Sequence, residues 1–270
     1  MPLESEYADD VDFYDTDDQT LENLLPIADI VLKSWHLYMN DDKTERVHFY
    51  LAKRGDVSEH GTPLVENEPW RSSKLLGSLL CTVKDIERRI ILGYAAFSTF
   101  NNIWQRSKNI SLSRRLKVYE AQVISVFLYN CGCWAAPKNI ITKIDIAHRR
   151  HLKYILNIKW PKTISNEKLY KLTNSEPLSN RINRARWRLF GHILRSDECT
   201  PASLALFFAA ESMNRMKGRL GRHRINLFML LKNDLKERKI YNDLNSVNDI
   251  HVLRELASNK KKWGELEHIL

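Results

Sequence analysis

The stretch Tyr7-Ala8-Asp9-Asp10 places two adjacent carboxylates directly before a short strand-like segment, Val11-Asp12-Phe13-Tyr14. At a hairpin tip, paired aspartates after a small residue can approach divalent cations, which take oxygen ligands. Phosphoryl transfer to a 3′-hydroxyl needs such cations, because they activate the attacking oxygen and neutralise the leaving diphosphate. Taken by itself, the tetrapeptide also fits a solvated acidic surface, since the chain contains 33 Asp and Glu residues.

The residues after this motif predict one helix and several short strands. An apolar stripe at residues 21–35 has helical spacing, and Thr16 with Gln19 has the spacing of a capping box before it. Pro26 inside the stripe predicts a kink or a later helix start. Residues 37–39 and 46–51 predict a strand pair around a polar turn, residues 53–70 predict a loop, and residues 74–80 predict a tight strand–turn–strand.

From residue 85 onward the pattern is helical. Apolar stripes run through residues 86–104 and 112–127, and Ser111 is placed to cap the second helix. Prolines and glycines separate the further helices, which we expect at about 139–157, 165–173, 178–195, 201–214, 223–238 and 248–267.

Charge is distributed unevenly along the 270 residues. Residues 1–70 hold 5 Lys and Arg against 17 Asp and Glu, a net of −12, whereas residues 71–270 hold 37 against 16, a net of +21. A long basic segment favours nucleic acid as a partner, although a charged helical protein is the alternative. The chain has four cysteines and no secretory signal, and polar residues interrupt its longest apolar stretch, 118–136. These features predict an intracellular protein, nuclear or cytoplasmic and not secreted, without a membrane partner.

The order of these motifs resembles palm motifs C, D and E of a LINE-type reverse transcriptase, the enzyme of non-LTR retrotransposons. The aspartate hairpin, the turn with Lys43 and the turn at 76–77 occur in that order. Later blocks are similar to the region that follows the palm: Leu116-Lys117-Val118-Tyr119, Val126-Phe127-Leu128-Tyr129, His148-Arg149-Arg150, Arg186-Trp187-Arg188-Leu189-Phe190-Gly191-His192-Ile193-Leu194-Arg195 and Lys217-Gly218-Arg219. The resemblance extends from Tyr7 to about Trp263.

The resemblance implies an α+β, predominantly helical fold. A truncated palm remnant of hairpin, helix and short strands would be followed by an all-α thumb and a basic helical C-terminal region. The implied divisions are a partial palm at 1–82, thumb-like helices at 83–136 and a nucleic-acid-binding region at 137–270.

The implied function is that of a fragment of an RNA-directed DNA polymerase. The parent enzyme is a nucleotidyltransferase that uses two metal ions, Mg²⁺ or Mn²⁺, with an RNA template and a DNA primer or an RNA–DNA hybrid as partners. The family's fingers, motif A and motif B lie upstream of the aspartate motif, and residues 1–6 do not supply them. We therefore expect no primer extension by this chain. The alternative is a non-enzymatic remnant, or a domesticated helical protein, that binds RNA or DNA.

The resemblance also assigns roles to residues of the palm remnant. Asp9 would be the main metal ligand and Asp10 a second ligand, while Lys43 would stabilise the leaving diphosphate. Leu76 and Gly77 would form the turn that grips the primer. The alternatives are an exposed lysine in an acidic turn and an ordinary hairpin turn.

The helical region is expected to bind phosphates, because arginine forks match phosphate oxygens. The expected contacts are Arg149, Arg150, Lys153, Arg181, Arg184, Arg186, Arg188, Arg195, Lys217, Arg219, Arg222 and Arg224. A solvated helix face is the alternative for the arginines at 181–188, and Trp187 between them is expected in the core. Cys131, Cys133, His148 and His151 are candidate zinc ligands, but the Cys-x-Cys spacing is tighter than is usual for zinc and favours buried thiols.

Overall fold

The computed structural model describes residues 3–7, 10–48, 69–105, 109–215, 225–240, 244 and 246–268. The chain divides into two compact units, Met1–Leu80 and Cys81–Leu270. It is predominantly helical, and the strands of the described residues form two separate two-stranded hairpins. The expected fold class, α+β with a majority of helix, is confirmed at this level.

In its described residues the first unit contains two hairpins and one α-helix. Strand β1 (Leu3–Tyr7) pairs antiparallel with β2 (Asp10–Tyr14), and β3 (Lys74–Leu75) pairs with β4 (Ser78–Leu79). Helix α1 (Asp18–Ser34) passes through Pro26 and buries none of its residues.

Two local expectations for this unit were wrong. The cap of α1 is Asp17, whose carboxylate accepts a hydrogen bond from the Thr20 backbone N–H at 3.0 Å, so Thr16 does not form a capping box. The described residues from 37 to 48 form no strand, and a 3₁₀ turn (Asp41–Lys43) lies there instead. The end of the expected second strand, 49–51, and the expected loop at 53–68 lie outside the described residues.

The second unit is all-helical in its described residues. Its helices are α2 (Thr82–Thr99), α3 (Asn101–Gln105), α4 (Leu112–Tyr119), α5 (Ser125–Phe127), α6 (Lys138–Ile155), α7 (Asn166–Thr173), α8 (Leu178–Arg195), α9 (Pro201–Arg215), α10 (Leu227–Glu237), α11 (Val247–Ser258) and α12 (Lys260–Glu265). A π-helical segment (Glu120–Ile124) joins α4 to α5. Ser111 caps α4 as expected, because its side chain accepts from the Arg114 N–H.

Two apolar clusters form the core of this unit, and α8 contributes to both. The first cluster includes Ile86 of α2, Phe127, Ile144 of α6 and, from the start of α8, Leu178 and Ile182. This cluster therefore contains residues from both sides of residue 136, where the thumb-like helices were expected to end and the nucleic-acid-binding region to begin. Burial of such side chains is the main stabilising contribution to a fold of this kind.

The second cluster is centred on two stacked indoles. Trp187 and Trp263 lie 4.0 Å apart between ring centroids, almost parallel, and each Nε1–H donates to the backbone carbonyl of the other residue, at 3.0 and 3.1 Å. Both tryptophans are buried, so the expectation that Trp187 lies in the core is confirmed. Phe190 and Leu194 extend this cluster along α8.

Candidate nucleic-acid interface

The first hairpin presents carboxylates on one face of β2. Asp10 is exposed and pairs in register with Tyr7, and Asp12 follows on the same side of the strand. Burial, and then the negative charge of Asp10, raise the pKa of Asp12 above its usual value. Ala8 and Asp9 lie outside the described residues. These oxygen donors are of the kind that Mg²⁺ takes, although no group of three or more His, Cys, Asp or Glu in the described residues could hold a metal ion.

Lys43 and the turn at Leu76 and Gly77 also belong to the first unit. Lys43 ends the 3₁₀ turn, where its backbone N–H donates to the Asn40 carbonyl at 3.0 Å, and its side chain is exposed. Leu76 and Gly77 have φ of 47° and 75°, both left-handed, and join β3 to β4. A two-residue turn with two positive φ angles is the usual geometry of a tight hairpin. The predicted strand–turn–strand is therefore present.

The arginines of α8 lie along a groove that also contains their counter-ions. Arg181, Arg184 and Arg188 follow one helix face and line a groove of about 420 Å³ with Glu120 and Glu176. Arg181 pairs with Glu120, and Arg184 forms a two-pronged pair with Glu176, one prong measuring 2.8 Å. Hydrogen bonds from Arg184 lower the pKa of Glu176. The positive charge of this face is therefore largely neutralised within the molecule.

Arg188 is paired in the same way, with a carboxylate distant in sequence. Its Nε–H donates to Glu267 Oε2 at 3.0 Å, although most of the Arg188 side chain is exposed. Arg195, the last residue of α8, donates to the Ala257 carbonyl at 3.1 Å. Both residues keep exposed surface, but the hydrogen-bonding groups named here face the protein.

The expectation that Arg186 contacts phosphate is corrected by its position. Arg186 is 6% exposed, and its Nε–H and Nη2–H groups donate to the two oxygens of Asp234, each at 2.9 Å. Asp234 is itself 4% exposed. A guanidinium fork that is buried and paired in this way holds α8 to α10 and cannot reach a ligand in solvent.

A second group of cations has no such counter-ions among the described residues. It is the basic surface, formed by α6, α7 and the loop between them: Arg149, Arg150, Lys153, Lys159, Lys162, Lys168 and Lys171. Residues 149–175 contain one carboxylate, Glu167, against these seven cations, a net of +6. In the described part of the chain none of the seven forms an ion pair with a carboxylate. Arg149 and Arg150 donate instead to the hydroxyls of Tyr170 and Tyr94, at 3.4 and 3.5 Å.

Only three of these seven cations, Arg149, Arg150 and Lys153, were predicted from the sequence to contact phosphate. The four lysines from 159 to 171 were not, although a run of seven cations with one acid in the sequence indicates such a surface. The further expected contacts Lys217, Arg219, Arg222 and Arg224 lie outside the described residues.

The residues considered for zinc take part in other interactions. The Tyr119 hydroxyl lies 2.9 Å from His148 Nδ1 and 3.4 Å from His151 Nδ1 in the buried core. Burial lowers the pKa of His148 to about 3 and that of His151 to about 4. Burial also raises the pKa of the Cys131 thiol to about 11, and partial burial raises that of Cys133. Cys131 is buried whereas Cys133 keeps exposed surface, so the expectation of buried thiols is confirmed for Cys131 only. Neutral histidines and a protonated thiol are the states expected of core side chains.

Comparisons of the chain with models of protein families, with curated proteins and with solved structures find no match. Within the described residues no helix has the length and apolar character needed to cross a membrane. The residues and geometry of the chain are therefore the basis for a functional proposal.

Proposed function

We propose that this chain is the part of a reverse transcriptase of the non-LTR retrotransposon type that carries the metal-binding hairpin and a helical nucleic-acid-binding region. The observation that carries the proposal is the basic surface, where seven cations on α6, α7 and their loop lack carboxylate partners in the described residues. Unneutralised cations in such number favour phosphate contacts, because each contact releases condensed counter-ions from the nucleic acid. The motif order supports the family, and the partners would be an RNA template with a DNA primer or an RNA–DNA hybrid.

The first unit would supply the catalytic hairpin. Asp9 and Asp10 would hold Mg²⁺ or Mn²⁺, which when bound activates the 3′-hydroxyl and neutralises the diphosphate. Lys43 would stabilise the leaving diphosphate, and Leu76 with Gly77 would support the primer end. The exposed position of Asp10 and the like charge of Asp12 beside it support a cation here, since a divalent ion relieves repulsion between carboxylates.

The test of the basic surface is the salt dependence of binding to single-stranded RNA or DNA. Replacing Lys153, Lys159, Lys168 and Lys171 by Gln should weaken binding and flatten the log–log salt slope by up to ~3, because each single-strand phosphate contact contributes about 0.7. The matched control replaces four exposed lysines outside the basic surface by Gln: Lys117, Lys138, Lys260 and Lys261. If both sets of substitutions weaken single-strand binding equally, the affinity depends only on net charge. That result would show that α6 and α7 are not the interface.

A second candidate function is nucleic-acid binding without catalysis. The basic surface lies in the second unit, whereas the hairpin carboxylates lie in the first, and this division favours binding that does not involve the carboxylates. The two candidates are distinguished by Asp9→Asn and Asp10→Asn in a chain joined to an upstream region with motifs A and B. For a polymerase, both variants should abolish Mg²⁺-dependent primer extension and leave nucleic-acid affinity unchanged. Absence of extension by that joined chain before mutation would leave binding as the function.

A further inference from the structure

An exposed tryptophan lies in the middle of the basic surface. Trp160 is 90% exposed, the largest exposed fraction among the large apolar side chains of the described residues. It lies in the turn Lys159-Trp160-Pro161-Lys162, which is closed by a hydrogen bond from the Lys162 N–H to the Lys159 carbonyl at 2.9 Å. The indole therefore projects from the tip of a turn that has a lysine at each end.

This turn is held at both ends by adjoining helices. At the end of α6, Asn157 adopts φ 55° and the Ile158 N–H donates to the Lys153 carbonyl at 2.9 Å, which is the pattern of a helix that ends through a left-handed residue. On the other side, Ser165 caps α7 by accepting from the Lys168 N–H at 3.3 Å. The backbone of this turn is thus fixed between the end of α6 and the cap of α7, and little ordering of the turn is left to a ligand.

From this placement we propose that Trp160 stacks on an unpaired base of a single-stranded nucleic acid whose phosphates contact the lysines around it. This inference rests on the proposed function and specifies which form of nucleic acid the basic surface takes. An indole with open faces stacks on any base, and such stacking adds affinity that does not depend on sequence. Paired bases in a duplex are already stacked on each other, so they offer no face to the turn.

Charge and shape favour this occupant over a lipid surface. A membrane-bound segment needs a broad apolar face, whereas this turn offers one aromatic ring with lysines on both sides. The ring is not needed for folding, because a side chain with 10% or less of its surface covered makes few contacts with the core.

The experiment compares the full chain with Trp160→Ala and Trp160→Phe on a single-stranded oligothymidine and on a duplex of the same length. Trp160→Ala should weaken single-strand binding by about fivefold or more, the fold-change that corresponds to the lower end of base–aromatic stacking. Trp160→Phe should retain most of the affinity, and duplex binding should not change. Phe208→Ala is the matched control, since Phe208 is also a highly exposed aromatic residue but lies on α9.

Iodouracil in the oligothymidine gives a second readout. Ultraviolet cross-linking should attach it to the peptide that contains Trp160, which a purely structural residue would not do. Unchanged single-strand affinity in Trp160→Ala, while the lysine-to-glutamine set still weakens binding, would overturn the stacking role and keep the proposed function. If the unmodified chain binds neither nucleic acid, both proposals fail. Loss of binding to vesicles of anionic lipid in Trp160→Ala, with oligothymidine binding unchanged, would show that the ligand of Trp160 is a membrane.

Discussion

Tyr119 connects two buried histidines through one hydroxyl group. Its single proton can be donated to the Nδ1 of His148 or of His151, so one of the two rings has to carry its own proton on Nδ1 and donate it to the tyrosine oxygen. Phe97 stacks on His151 with ring centroids 3.9 Å apart, and Tyr119 stacks on His148. Burial lowers the pKa of both histidines, and the positive charge of Arg181 lowers that of His148 further, so both rings stay neutral in the folded protein near pH 7.

The stability of the protein should therefore fall when the pH falls below neutrality. The pKa values of His148 and His151 are lowered to about 3 and about 4 in the folded state, whereas an unfolded histidine has a pKa of about 6.5. Between these values only the unfolded chain binds the protons, so acid favours unfolding. Between pH 7 and pH 5 each histidine should lower the free energy of unfolding by about 2 kcal/mol, measured by chemical denaturation. Proton NMR titration should show both imidazoles still neutral at pH 5, and a charged ring at that pH would contradict the prediction.

Helix α8 joins the two apolar clusters of the second unit. Its first turns contribute Leu178 and Ile182 to one cluster, and its later turns contribute Trp187 and Phe190 to the other. Gly191 allows the close approach of the Trp263 ring, since a Cβ atom at this position would lie 2.4 Å from Trp263 Nε1. A side chain at residue 191 would thus displace the Trp263 ring.

Gly191→Ala should destabilise the protein in spite of the better helix propensity of alanine. Overpacking of this kind costs about 1–3 kcal/mol, and the midpoint of thermal unfolding should fall accordingly. Gly264→Ala is the matched control on α12, because a Cβ atom at this position meets nothing within 4 Å. That variant should be neutral or slightly more stable, by up to about 1 kcal/mol. Similar melting temperatures for both variants would mean that the packing around Trp263 does not require a glycine.

At the scale of the whole molecule, the apolar core of the described residues lies in one unit. Every fully buried apolar side chain of the described residues, from Ile86 to Trp263, belongs to Cys81–Leu270. The described residues of the first unit offer two-stranded hairpins and a helix without buried residues. Such hairpins have marginal stability by themselves.

A chain shortened to residues 81–270 should therefore keep the main unfolding transition. Its melting temperature should stay within about 2 °C of that of the full chain, because no side chain of either apolar cluster is removed. It should also bind single-stranded nucleic acid with the same salt slope, since the basic surface is intact. A clearly lower melting temperature would show that residues 1–80 contribute to the stability of the second core.

The sequence alone determined the succession of helices, for reasons that are local. Apolar residues at helical spacing and a proline at each junction predicted α8 at 178–195 and α7 at 165–173, close to the observed Leu178–Arg195 and Asn166–Thr173. Capping at Ser111 and the tight turn at Leu76 and Gly77 also depend on neighbouring residues, and both were predicted. The strand pair predicted after α1, at 37–39 and 46–51, does not form in the described residues, because a strand forms only where another strand pairs with it.

Only the tertiary structure decided which cations are available to a ligand. Two stretches look alike as basic helical sequence, one from Arg181 to Arg188 and the other from Arg149 to Lys171. Carboxylates far away in the sequence, among them Asp234 and Glu267, neutralise the first stretch. A Coulomb interaction depends on distance in space and on burial, and the chain reaches these distances only when α8, α10 and the C-terminal residues pack together. The same packing leaves the lysines around Trp160 in solvent, and that placement is what supports a nucleic-acid interface at α6 and α7.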